Sequence, residues 1–111
     1  MVSLSPQQLE IYLLLKQNLG RETSVSEFVQ RDGLNIASYT ERISELRKKG
    51  FNVVSTQKNF YVLRGEPTPD LDFLRMVYVE AEKRGYHELM ARCVTKAKEL
   101  KFLEDVKSSL F

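Results

Sequence analysis

The chain has 111 residues, 42% hydrophobic and 29% charged, with a net charge of +2 and a single cysteine. This composition is that of a folded globular chain and excludes disorder; no apolar run approaches the roughly 20 residues that span a bilayer, and a lone cysteine excludes an internal disulfide. Residues 1–64 hold nine Lys/Arg against six Asp/Glu and residues 65–111 hold eight against nine, so the positive excess is N-terminal.

The N-terminus lacks a charged start followed by an apolar stretch, so a cytoplasmic protein is expected rather than a secreted one. Ser5 reads as the N-cap of a first helix, with Pro6 at its first position and Gln8 completing a capping box. Leu4 and Leu9 are spaced for a hydrophobic staple across that start. Leu9, Tyr12, Leu13 and Leu15 supply apolar positions and Gly20 is the natural stop, which predicts a helix over roughly 6–18. Arg21-Glu22-Thr23-Ser24 is a short polar link with room for a minimal strand. Ser24 and Glu27 make a second capping box, opening a short helix over about 25–31 with Val25, Phe28 and Val29 inward. Asp32-Gly33 closes it. A third helix starts after Asn35, a capping residue. Ile36, Tyr39, Ile43 and Leu46 keep a helical period, Lys48-Lys49 suit the negative end of its dipole, and Gly50 ends it.

The pattern then changes to period two. Phe51–Thr56 and Asn59–Leu63 read as strands, joined by a tight turn at Gln57-Lys58-Asn59. Gly65–Pro69 is a linker stiffened by two prolines. Thr68 is the expected cap of a fourth helix, with Pro69 at its first position and Gly85 after its end. A fifth helix starts near Tyr86 and reaches at least Leu100. Leu89, Met90, Cys93, Val94, Ala97 and Leu100 form its apolar stripe, which Leu103, Val106 and Leu110 extend.

Three short helices closed by a hairpin make a winged-helix arrangement. The run Ile43-Ser44-Glu45-Leu46-Arg47-Lys48-Lys49-Gly50-Phe51, with the later Asn59-Phe60-Tyr61-Val62-Leu63, resembles the small winged helix-turn-helix domains of bacteria and their phages. The resemblance covers roughly residues 5–64. The fold expected is therefore mainly α with a small β-hairpin: a winged helix-turn-helix over 1–64, a linker over 65–69, and a C-terminal helical hairpin over 70–111.

The resemblance implies a small DNA-binding regulator of transcription or replication. In such domains the third helix enters the major groove and the wing touches backbone or minor groove. With Ile43 inward and about 100° per residue, Ser38, Glu41, Glu45 and Lys48 point outward, flanked by Ala37, Arg42 and Lys49. Thr40 and Arg47 fall at the edge of the buried face. The expected DNA-contacting set is Ala37, Ser38, Glu41, Arg42, Arg47, Lys48, Lys49 and Lys58. Arg42 suits guanine O6 and N7, or else an internal partner; the other bases read as phosphate contacts or as charge at a helix end and a turn. Glu41 and Glu45 oppose the reading, because carboxylates repel phosphates. Pairing of Glu41 with Lys48 and of Glu45 with Lys49 would mask them.

No catalytic constellation emerges, and neither a cofactor nor a metal is implied. His87 is the only histidine. Cys93, six residues on, falls about 120° from the same helix face. The fourth helix reads as apolar nearly all round. Leu71, Phe73, Leu74, Met76, Val77 and Tyr78 are thus expected to meet a partner, either a second copy in a homodimer or a larger protein. Two readings follow: a dimeric protein bound to double-stranded DNA, or a protein-interaction module that uses the winged helix as a scaffold.

Overall fold

A computed structural model describes residues 3–18, 20–29 and 36–110, without the side chains of Phe28, Val29, Ile36–Ser38 and 102–110. The expectations at Asp32-Gly33 and Asn35, and those for the side chains of Phe28, Val29, Ile36, Leu103, Val106 and Leu110, lie outside the described residues. The chain is mainly helical with one small antiparallel sheet, and it divides into two units, Val2–Thr68 and Pro69–Phe111.

The first unit runs α1 (Pro6–Gln17), β1 (Thr23–Ser24), α2 (Val25–Val29), α3 (Ile36–Lys48), β2 (Asn52–Gln57) and β3 (Phe60–Gly65). The start of α1 is the reciprocal box that its sequence predicts. Ser5 Oγ accepts from the Gln8 N–H at 3.3 Å, and Gln8 Oε1 accepts from the Ser5 N–H at 3.1 Å. Ile11, Tyr12, Leu13, Leu14 and Leu15 are buried in succession. Five consecutive residues about 100° apart cover every side of a helix, so α1 is enclosed all round. The box at α2 forms differently: Glu27 Oε2 accepts from the Ser24 N–H, while Ser24 Oγ takes the Ser26 N–H.

The end of α3 fixes the entry to the sheet. Gly50 lies at φ +98°, the Gly50 N–H donates to the Arg47 carbonyl, and the Phe51 N–H reaches back to the Leu46 carbonyl at 3.1 Å. This is the Schellman pattern, completed by burial of both Leu46 and Phe51. The φ of Gly50 demands glycine, and a Cβ there would also crowd Pro67 Cγ at 3.2 Å.

β2 and β3 pair antiparallel with Val54 opposite Val62, and Asn59 turns the chain at φ +67°, a region that asparagine tolerates. The two-residue β1 adds to the free side of β3, with Thr23 opposite Tyr61. The expected hairpin is therefore a three-stranded sheet of order β1-β3-β2.

The second unit is α4 (Leu71–Arg84) followed by α5 (His87–Leu110). Its start corrects the expectation at Thr68. The N-cap is Asp70, whose carboxylate accepts from the Phe73 N–H at 2.7 Å. Aspartate outranks threonine as a cap and adds negative charge at the positive end of the helix dipole. Asp70→Ala is expected to lower stability by about 1 kcal/mol. Thermal melting followed by circular dichroism reads this, and Asp70→Asn should restore most of the loss. Gly85 ends α4 at φ +73°.

Candidate nucleic-acid interface

α3 is buried through Tyr39, Ile43 and Leu46, but a second side of it is also covered. That side is polar and meets α1. Arg42 Nη1 donates to Gln7 Oε1 at 2.9 Å, and Arg42 Nη2 pairs with Glu45 Oε1 at 2.8 Å and Glu41 Oε2 at 3.1 Å. Gln8, only 5% exposed, joins the two helices: its Nε2 donates to Glu45 Oε2, and its Oε1 accepts from Lys49 Nζ at 2.6 Å. Lys49 Nζ also reaches the Ser3 carbonyl. The pairings expected along α3, Glu41 with Lys48 and Glu45 with Lys49, are replaced by this cluster.

The outward face of α3 is accordingly rotated from the one expected. Thr40, Glu41, Ser44, Arg47 and Lys48 are exposed, whereas Arg42 and Glu45 are half-buried. Hydropathy treats a polar flank as a solvent face. Here the flank formed by Arg42, Glu45 and Lys49 is held against α1 by hydrogen bonds instead. Two of the expected contact residues, Arg42 and Lys49, are thereby hydrogen-bonded within the fold, Arg42 half-buried and Lys49 still exposed. Ala37 and Ser38 have side chains outside the described residues.

Arg47 resembles Lys49, and Lys48 and Lys58 differ from both. Arg47 Nε donates to the Val53 carbonyl at 2.9 Å, tying the end of α3 to β2, while the residue stays exposed. Lys48 at the end of α3 and Lys58 at the hairpin turn are exposed and carry no partner among the described residues. The helical period alone puts Thr40 at the edge of the buried face and gives Ser44 no role, though their i, i+4 spacing with Lys48 was the available signal. Period two likewise gives no role to Ser55, Thr56 and Gln57, the exposed end of β2.

An aromatic pair lies where α3 meets the sheet. The Tyr39 and Tyr61 rings are 6.1 Å apart, edge to face. Burial, with Tyr39 beside it, pushes the Tyr61 phenol above its usual 10.0, and the Arg47 guanidinium opposes that rise. Tyr61 is neutral at ordinary pH and keeps its hydroxyl proton.

In the second unit Phe73, Leu74 and Val77 are buried within the single chain, and Leu71, Met76 and Tyr78 are half-buried. Phe73 and Val77 are core side chains of the unit, and Leu74 is buried beside them at the edge of a cleft between α4 and α5. α4 buries one face, through Phe73, Leu74, Val77 and Ala81, and exposes Asp72, Arg75, Val79, Glu82 and Lys83. The helix apolar enough to need cover on every side is α1. Among the described residues no helix is long and apolar enough to cross a membrane, and no group of His, Cys, Asp or Glu is placed to hold a metal ion.

No protein-family model matches the chain, and no curated protein or solved structure matches it.

Proposed function

We propose that the first unit is a winged helix-turn-helix that binds double-stranded DNA, as a small regulator of transcription or replication would. The element order α1-β1-α2-α3-β2-β3 and the sheet order β1-β3-β2 support the winged-helix reading. The observation that carries the DNA reading is the division among the bases of α3 and the wing. Arg42 and Lys49 are spent on α1, while Lys48 and Lys58 stand exposed and unpaired among the described residues. In this proposal α3 presents Thr40, Ser44 and Arg47 to the major groove, and Lys48 and Lys58 neutralise phosphates.

The test is fluorescence anisotropy with a mixed-sequence duplex at two salt concentrations. Wild type is expected to bind with a salt slope that reports several phosphate contacts. Lys48→Ala/Lys58→Ala should weaken binding and reduce that slope by about two, close to one for each phosphate lost. Lys49→Ala should leave the slope unchanged. Absence of binding at low salt, or equal slopes for wild type and the double variant, removes the proposal. Glu41 favours the second reading, a protein-binding scaffold, because its carboxylate is 71% exposed in the middle of the α3 face. That reading takes over if no duplex binds.

A further inference from the structure

The second unit carries a cleft that DNA binding does not use. It lies between α4 and α5 and holds about 400 Å³, within the usual range of ligand pockets. Leu71, Leu74 and Tyr78 wall it from α4, and Cys93, Val94 and Ala97 from α5. Val94 remains 41% exposed, an apolar side chain left to water. The other three lining residues are all cations: Arg75, Lys98 and Lys101. Each is exposed, and among the described residues none has an ion-pair partner and no carboxylate lines the cleft.

The charge is gathered at one end. The chain reverses at Gly85-Tyr86, between α4 and α5. Leu71 is therefore level with Lys101, Leu74 and Arg75 with Ala97 and Lys98, and Tyr78 with Cys93 and Val94. The cations occupy the end near the start of α4, and the opposite end is apolar. A partner helix would lay apolar anchors along the whole groove and meet the cations at one end with them, which this cleft does not match. A single anionic head on an aliphatic tail does match it.

We propose that the cleft binds a free amphipathic carboxylate. Its head sits among Arg75, Lys98 and Lys101, and its tail lies along Leu74, Tyr78 and Val94. From Leu71 to Tyr78 the cleft runs about 10 Å at the helical rise, the length of a medium-chain carboxylate of roughly eight carbons with its head included. The proposal is independent of the DNA-binding reading.

Isothermal titration of the full chain with decanoate, kept below its micelle concentration, tests it. Saturable 1:1 binding is expected. Decyltrimethylammonium, with the same tail and the opposite charge, should bind at least about tenfold more weakly. Arg75→Ala/Lys98→Ala/Lys101→Ala should lose a similar factor with an unchanged melting curve, since all three side chains are exposed. Should that variant melt early, Lys98→Glu alone supplies the same charge test. Cys93 is the only cysteine and lines the cleft, so bound decanoate should slow its reaction with a thiol reagent. Equal affinity for both head groups, wild-type affinity in the charge variants, or no saturable heat overturns the proposal. So does a concentration-dependent dimer in which decanoate leaves Cys93 unprotected, which assigns the cleft to a second copy.

Discussion

Phe51→Ala is expected to cost about 3–5 kcal/mol, the range for removing a large ring from a packed interior. Phe51 is 2% exposed, and its ring meets Tyr12 edge to face at 5.4 Å. It is also the residue at which α3 becomes β2. Its N–H to the Leu46 carbonyl survives the substitution, but the apolar contact that accompanies that cap does not. A unit of this size has a total stability of only about 3–10 kcal/mol. The variant should therefore unfold at a much lower urea concentration, or fail to fold at all. Phe51→Leu keeps most of the volume and should cost clearly less. An alanine variant within about 1 kcal/mol of wild type would show that the ring is not packed between α1 and the sheet.

The parts of the fold that the sequence announces are those set by local chemistry. Ser5, Pro6 and Gln8 mark the start of α1 because each acts within one turn of its neighbours. Gly50 and Gly85 mark helix ends because a left-handed residue is needed there. Period two over Asn52–Leu63 marks the hairpin. Other features depend on what comes together from a distance. β1 is two residues long, too short for any periodicity, and exists because β3 offers it an edge. The start of α4 slipped by two residues because Pro69 and Asp70 each satisfy a different rule, and the stronger cap prevailed. The candidate interface was legible as a basic helix end followed by a hairpin. Its orientation was not, since the side of α3 facing α1 is polar and period counting assigns polar residues to water. Gln8, a residue of the helix cap, turns out to anchor that side.

Glu45→Ala tests whether the cluster acts as a unit. The substitution removes the acceptor for the buried Gln8 amide and the closest carboxylate to Arg42, whose Nε is already buried without a partner among the described residues. A loss of about 1–3 kcal/mol is expected, the cost of leaving buried donors unsatisfied. The ion pair itself contributes the smaller share, because the Arg42 and Glu45 side chains are 24% and 35% exposed and screened by water. Glu45→Gln retains an acceptor and should cost less. Arg42→Ala and the double variant complete a cycle read by urea unfolding, with a coupling of at least about 0.5 kcal/mol expected. Additive losses would mean that the two side chains act separately. The same variant bears on recognition. If the first unit binds DNA as proposed, loss of Glu45 takes the closest anion from Arg42 and one carboxylate from α3, so duplex affinity should rise even as stability falls. A fall in both would place Glu45 itself among the groups that contact the base pairs.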